Sequence, residues 1–245
     1  MKKIAIIKTK ESSLKKQRNE HLKMSFWGVI SFITLIILGL VFIQDFYVLA
    51  VIPIIFSIYQ FNKGLFLNHG IKGEKVVLKK LKKLSDDYIV YNDITIKNKG
   101  EQAQIDHLVI GPKGVFCIET KNMKGDISGR ETDHNWVQKK TGKRGGIYHQ
   151  KFYNPCKQNG RHVYKLKGYL NSNNLSHVWV QSVVVFTKGW SSKLDVESNT
   201  PVLKDGDLIK FITSYKNQKG QLSSKIINDL ENAIDKNIGL LKRAA

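Results

Sequence analysis

Two cysteines, Cys117 and Cys156, are all that 245 residues contain, and they stand in no metal-ligand spacing. That argues against a disulfide framework and a zinc ribbon, and a reducing, cytoplasmic setting suits the soluble part. Acids are scarce as well: 20 Asp and Glu face 40 Lys and Arg, for a formal net charge of +20. So basic a chain favours polyanionic partners, either nucleic acid or an anionic membrane surface, while the charge leaves the fold open. Internal repeats and low-complexity tracts are missing. With 42% hydrophobic residues the chain holds enough for one ordinary globular domain plus something smaller, and disorder throughout does not fit.

Charge itself is missing from one long stretch. Eight Lys and Arg precede residue 25, against Glu11 and Glu20, and then Ser25 to Phe61 carries a single charge, Asp45. As one helix this stretch would extend about 55 Å, well past a hydrocarbon core of about 30 Å, so two crossings are expected. The first arm is Ser25 to Ile43; the second, Phe46 to Phe61, contains Pro53, which a membrane helix tolerates. The turn falls at Gln44-Asp45. Lys2, Lys3, Lys8, Lys10, Lys15, Lys16, Arg18 and Lys23 lead into the first arm, and Lys63, Lys72 and Lys75 follow the second. The positive-inside rule then puts both termini in the cytoplasm, with the protein in the cell membrane as a two-helix, multi-pass protein. Trp27, Tyr47 and Tyr59 fall near the arm ends, where amphipathic rings favour the headgroup zone. A signal peptide is the plain alternative, but no small-residue cleavage site follows and the run exceeds an h-region. A buried soluble pair of helices is the other.

His69 to Gly73 reads as a flexible junction, and Glu74 to Leu84 as a helix with Val77, Leu78, Leu81 and Leu84 on its inner face. Glu74 falls on that same face; the bland reading is an acid at a helix start, favoured by the dipole. Tyr88 to Asn92 and Asp93 to Lys97 are short strand candidates, closed by an Asn98-Lys99-Gly100 turn. After Asn122 the chain turns polar, and Lys139 to Gly146 looks like an exposed basic loop able to contact phosphates. Asn154-Pro155 is a helix start, with Asn as cap and Pro in the first turn; that helix runs to about Leu170, buries Val163, Leu166 and Leu170, and carries Gln158 and His162 on one side. Val178 to Thr187 is a dense β-branched strand ended by Gly189-Trp190. Pro201 to Leu203 is a short strand, and Asp207 to Tyr215 and Ser223 to Leu241 are helices.

The most informative stretch is Gln104 to Asn122, QIDHLVIGPKGVFCIETKN, an apolar β-hairpin around Gly111-Pro112-Lys113-Gly114. Symmetric closure pairs 110 with 115 and 108 with 117, and so sets Asp106 directly opposite Glu119. Strand alternation puts Glu119, Lys121 and Asp106 on one face, Gln104 across from Lys121, and Leu108, Ile110, Val115 and Cys117 nearer the turn. Val109, Phe116 and Ile118 take the other face, as in a strand pair covered on both sides. Like charges facing each other across a ladder repel, and two carboxylates at the margin of a core raise each other's pKa unless a cation lies between them. Hard divalent ions prefer such oxygens, so a metal site is expected here. The alternative is a surface salt-bridge cluster of Asp106, Glu119 and Lys121.

Taken in order, Gly73-Glu74, Gln104-Ile105-Asp106-His107, Gly111 to Gly114, Glu119-Thr120-Lys121-Asn122, Trp136, and Asn154-Pro155 with Gln158 and His162 resemble the nuclease-related domain (NERD) family of the restriction-endonuclease-like PD-(D/E)xK superfamily. The likeness runs from about Gly70 to Thr187. It implies an α/β fold with an αβββαβ core, here preceded by the transmembrane hairpin and followed by C-terminal helices. It also implies Asp106 and Glu119 as metal ligands, Lys121 as the water-orienting or charge-stabilising residue, Glu74 as an accessory acid and Gln158 as a helix-borne active-site partner. Ile105 stands where the superfamily's proline would be, and the QxxxY of some relatives appears as Gln158 and His162. The expected organisation is a basic tail (1–24), the hairpin (25–61), a linker (62–70), the nuclease-related domain (71–190) and a helical extension packed on it (191–245).

The expected chemistry is hydrolysis of phosphodiester bonds. Asp106, Glu119 and the Thr120 carbonyl would hold Mg²⁺ or Mn²⁺, and Lys121 would position or deprotonate the water. DNA stands ahead of RNA as substrate, with the lipid bilayer as second partner through residues 25–61. The competing readings are a membrane-tethered nucleic-acid-binding module without catalysis, and a scaffold bound to anionic lipid.

Overall fold

A computed structural model describes residues 4–9, 12–41, 46–142, 145–187, 193–217 and 220–240, with the side chains of 41 and 46–48 left aside. The expected turn at Gln44-Asp45, the Tyr47 ring, Lys2, Lys3 and Lys10, Lys143-Arg144 of the basic loop, the Gly189-Trp190 stop and Leu241 lie outside the described residues. In chain order the elements are β1 (Ile6–Thr9), α1 (Ser13–Val41), α2 (Phe46–Leu81), β2 (Ile89–Asn98), β3 (Glu101–Gly111), β4 (Gly114–Lys121), β5 (Asp126–Arg130), β6 (Asn135–Thr141) and β7 (Ile147–Tyr153). There follow α3 (Pro155–Asn171), β8 (Val180–Phe186), β9 (Leu194–Glu197), β10 (Val202–Lys204), α4 (Leu208–Ser214) and α5 (Ser224–Ile238). The chain divides into two compact units, Glu11–Lys72 and a second formed by Met1–Lys10 with Gly73–Ala245.

The first unit is an antiparallel pair of helices. Ser25 and Ser57 share a buried hydrogen bond of 3.0 Å, Ser57 Oγ also donates to the Ser25 carbonyl at 2.8 Å, and His21 Nδ1 meets Gln60 Oε1 at 2.6 Å. Backbones approach closely at Gly28, where an added Cβ would sit 3.0 Å from the Pro53 carbonyl oxygen and from Ser57 Cβ; small residues at the seam are how apolar helices pack without a hydrophobic driving force. Outward, Phe26, Trp27, Leu40, Ile52 and Phe66 are each more than half exposed. Both helices contain runs long and apolar enough to cross a membrane, Ser13–Leu40 and Leu49–Leu81.

Several boundaries differ from expectation: the two strand candidates Tyr88–Asn92 and Asp93–Lys97 form the one strand β2, and the expected helical extension from residue 191 also contributes strand β9, which pairs with β5. Helix α1 begins at Ser13 and so takes in half of the expected basic tail, while Ile6–Thr9 of that tail pairs in parallel with β2. Helix α2 continues through the expected linker and junction into the expected Glu74–Leu84 helix. Gly70 and Gly73 do not break it, because glycine inside a helix costs only about 1 kcal/mol against alanine when packing requires it.

The second unit holds a mixed six-stranded sheet in the order β1-β2-β3-β4-β8-β10 and a four-stranded sheet in the order β7-β6-β5-β9. In the larger sheet β2, β3 and β4 are successively antiparallel, and β8 runs parallel to β4. One face, with Tyr91, Leu108, Ile110, Val115 and Cys117, is covered by α3 and α5 through Leu166, Leu170, Leu230 and Ile234. The other, with Val90, Val109, Phe116 and Ile118, is covered by Val77 and Leu81 of α2 and by Leu208 and Ile212 of α4. Each such side chain, taken fully out of water, is worth about 1.5–3 kcal/mol. Cys117 and Cys156 are free and buried.

The smaller sheet was not legible as strands. Lys139–Thr141, expected in a loop, ends β6, and β7 begins just after Gly146, whose carbonyl accepts the Gly142 N–H at 2.7 Å. Its inner face packs Ile127, Trp136, Phe152, Leu194 and Val196 against Val184, Phe186 and Cys156; the outer face is polar.

Candidate active site

The hairpin register matches the expected closure from Gly111–Gly114 back to His107–Ile118, and there the β3–β4 ladder ends, one pair short of Asp106 and Glu119. The cause lies in β2 and β3. Asp93 adopts φ +49°, and β2 switches faces there: Ile89 and Tyr91 share a core cluster with Ile94 and Ile96. Its neighbour switches in step, since Ala103 and Ile105 join Leu108 and Ile110 in that cluster. Strict alternation therefore fails at Asp106, and Gln104, expected across from Lys121, donates instead to Asp93 Oδ1 at 3.1 Å. Asp106 replaces the missing backbone partner: its Oδ2 accepts the Thr120 N–H at 2.8 Å. Along a strand the N–H and C=O of one residue point to the same side, so the Thr120 carbonyl also faces the gap left by β3.

Around that gap the predicted residues gather. Lys121 Nζ donates to Glu119 Oε1 at 2.7 Å and to Gln158 Oε1 at 2.8 Å. Glu119 is 2% exposed; its Oε2 accepts no hydrogen bond, and His162 Nδ1 stands 3.6 Å from it. Burial holds the His162 imidazole below its usual pKa, against the upward pull of Glu119. Burial also pushes the Asp106 carboxyl well above the usual range, reinforced by the charges of Glu119 and Glu74 and partly offset by the Thr120 N–H and Lys121. Glu74 is buried and approaches from α2, where Gly73 permits the crossing: a Cβ there would lie 2.6 Å from Asn122 Cβ. Three carboxylates thus influence one another with Lys121 among them. Among the described residues, no group of three His, Cys, Asp or Glu side chains is close enough to ligate an ion together.

Two asparagines hold this arrangement, and sequence reasoning recognised only part of one. Asn154 caps α3 as expected, accepting from the Cys156 and Lys157 N–H groups. Its Nδ2 also donates to the carbonyls of Arg130, Glu131 and Asp133 at 3.2, 3.0 and 2.8 Å, tying the β5–β6 turn to the helix one turn before Gln158. Asn159, fully buried, donates to the carbonyls of Cys117 and Val183 and to Ser182 Oγ, pinning α3 to β4 and β8 beside Gln158. Nothing in a single sequence marks Asn159; an amide directly after Gln158 on a helix reads as solvated. Trp136, quoted above as part of the motif set, is a buried wedge whose Nε1 donates to the Arg130 carbonyl at 2.8 Å.

Residues 69–187 match the family model of the nuclease-related domain. An uncharacterized protein of Bacillus anthracis, pXO1-01, is 37% identical over 152 residues, which are 60% of this chain and 66% of that protein. The probable kinase PglW of Streptomyces coelicolor is 25% identical over 179 residues, 72% of this chain and 11% of PglW. The chain therefore spans less than two thirds of either relative. No solved structure matches it.

Proposed function

We propose that the protein is a membrane-anchored, metal-dependent nuclease of the PD-(D/E)xK type, acting on DNA in preference to RNA at the cytoplasmic face. One observation carries the reading: Lys121 Nζ joins Glu119 to Gln158 at 2.7 and 2.8 Å, beside an Asp106 fixed on the Thr120 backbone. The donor set fits Mg²⁺ or Mn²⁺. Glu119 Oε2 is buried without a hydrogen bond, burial and the neighbouring Glu119 and Glu74 disfavour the Asp106 anion so that a cation would stabilise it, and strand geometry turns the Thr120 carbonyl to the same gap. Asp106, Glu119 and Thr120 would hold the ion, with waters completing the shell as Mg²⁺ requires. When bound, the ion supplies neutralisation of phosphate charge and acidification of water.

In this mechanism Lys121 holds the attacking water and offsets negative charge on the phosphate. Gln158 keeps the ammonium oriented, and Glu74 supports Asp106 from α2.

Anchoring is supported by the exposed apolar surface of α1 and α2. Both flanks of the helix pair, β1 before it and β2 after it, belong to one sheet, which favours an even number of crossings. The basic residues around α1 favour the cytoplasmic side. A binding module without catalysis is the second reading, favoured by the lack of a three-residue ligating group among the described residues. The deciding experiment uses the full chain in detergent, because a fragment beginning at residue 62 would lack strand β1. Linear, nicked and branched DNA, and RNA, are incubated with Mg²⁺ or Mn²⁺; cleavage that Lys121→Ala abolishes supports the nuclease, and equal activity in wild type and variant removes this mechanism.

A further inference from the structure

Between Asp133 and Asp195 the chain contains eleven Lys and Arg and no Asp or Glu. This acid-free segment folds into β6, β7, α3 and β8. Register fixes where the charge goes on the smaller sheet. Lys139 pairs with His149, Val137 with Lys151 and Asn135 with Tyr153, so Lys139, His149, Lys151 and Tyr153 share a face. Lys139, His149 and Lys151 are exposed, while the opposite face carries the Trp136–Phe152 core contact. The carboxylates of the exposed face, Asp126, Asp195 and Glu197, sit on β5 and β9, away from the β7 edge. Of these, Asp126 faces Lys139 and accepts the Lys193 N–H at 2.9 Å.

The cationic edge does not stop with the sheet. Tyr153 meets the His134 ring edge-on at 5.2 Å and lies under the Arg161 guanidinium, 4.8 Å from the ring centroid, with its hydroxyl bonded to Arg161. Arg161 is on α3, exposed, three residues past Gln158 and next to His162. The tyrosine ring is thus a support that carries the row of cations from strand to helix. Lys157, four residues before Arg161, donates to the Thr132 carbonyl at 2.6 Å and lies on the same side of α3.

We propose that this edge, from Lys139, His149 and Lys151 across Tyr153 to Arg161 and Lys157, is the surface that grips the sugar–phosphate backbone of the nucleic acid and leads it to Lys121. The proposal rests on the nuclease reading for its destination, and on register and charge for its position. Contacts made by ammonium and guanidinium groups to phosphate carry no base information, so binding is independent of sequence and strongly dependent on salt.

The test uses the full chain in uncharged detergent with EDTA, so that binding is read without cleavage. Fluorescence anisotropy with a duplex of about 30 base pairs, and with single-stranded DNA and RNA of that length, gives affinity against salt. In K139Q/K151Q the affinity for the duplex falls roughly tenfold or more at about 0.1 M salt, and the log–log salt slope shrinks by about 1.8, or ~0.9 per lost phosphate contact. K139R/K151R keeps the wild-type slope. The remote pair K225Q/K236Q changes affinity less than about twofold, since those lysines lie on α5 away from the edge. In the unaltered protein, bound duplex protects Lys139 and Lys151 from acylation and leaves Lys225 and Lys236 reactive, a readout that needs no variant to fold. An unchanged slope in K139Q/K151Q, an equal loss in K225Q/K236Q, or acidic phosphatidylserine vesicles displacing the duplex would overturn the proposal. Failure of the nuclease reading looks different: binding behaves as stated, yet adding Mg²⁺ produces no cleavage.

Discussion

In the six-stranded sheet β3 and β4 are covered on both faces, and the polar groups at the site are held in place: Asp106 by a backbone N–H, Lys121 by Glu119 and Gln158. In the four-stranded sheet only the inner face is covered, and β7 displays exposed side chains from Ile147 to Lys151. The difference separates two kinds of polar residue. A charged group inside the first sheet is there at a cost that burial imposes, so its persistence needs a chemical use or a compensating partner. A charged group on the outer face of the second costs almost nothing, and only its pattern carries information. The largest expected contrast follows directly. If the proposed nuclease mechanism holds, Lys121→Ala is expected to lower the rate of cleavage by about 10²–10³-fold at saturating nucleic acid, the scale of losing one positioned proton-transfer or charge-stabilising group. A substitution on the four-stranded sheet, or ribbon, such as Lys151→Gln is expected to leave that saturated rate unchanged and to alter affinity alone. Single-turnover kinetics at saturation read both, and a ribbon variant that lowers the saturated rate as far as Lys121→Ala would erase the distinction.

The two regions meet at Asn154, buried between the β5–β6 turn and the start of α3. Asn154→Ala removes three carbonyl contacts and the helix cap. The Arg130 carbonyl keeps the Trp136 N–H and Glu131 and Asp133 are only half-buried, so about 1 kcal/mol for the cap and 1–3 kcal/mol for the carbonyls together give an expected loss of about 2–4 kcal/mol. Thermal denaturation should show a drop of roughly 4–16 °C for a unit of this size. A shift under about 2 °C would mean that the turn and the helix are held independently.

Legibility followed the same division. The apolar runs of β3, β4 and β8 are long and bounded by turns, so the strands, the hairpin register near the turn and the gathering of Glu119, Lys121 and Gln158 were all readable. Where β3 turns over at Asp106 they were not, because the cause is the positive φ of Asp93 on a neighbouring strand. The smaller sheet escaped because β6 buries only Trp136 and Gln138 and β7 only part of Phe152, while KKT falls in a basic, glycine-rich run that reads as loop. Strand β1 escaped because four residues beside a basic tail carry too little pattern; it is fixed only by pairing with β2 and by Lys8, which bonds to Asp235 and to Glu231 at 2.6 Å. The continuity of α2 escaped because two glycines and a change from apolar to charged composition imitate a linker.

Histidines sharpen the comparison through pH. His107 is fully buried in the larger sheet with neither ring nitrogen hydrogen-bonded, and burial lowers its pKa to about 3. The folded state therefore binds fewer protons than the unfolded state below about pH 6.5, so this stability is fully present above that value. It is lost on acidification at about 1.4 kcal/mol per pH unit, until the folded pKa is reached. Near pH 5 the deficit is about 2 kcal/mol, and His107→Leu removes this part of the acid limb from a urea-denaturation series against pH.

The smallest expected effect is the most exacting for the smaller sheet. His149 and Lys151 lie on an exposed face with solvent beyond them, and substitutions at such positions change stability by less than about 0.5 kcal/mol. H149S/K151S should therefore melt within about 1–2 °C of the parent chain while binding duplex more weakly. Neutrality in folding joined to loss in binding is the signature of residues kept for a partner, because a side chain that packs against the protein cannot be truncated without leaving a gap. A fall of several degrees would instead mean that the outer face of β7 is covered in the folded protein, and the two sheets would then differ only in how much apolar surface they bury.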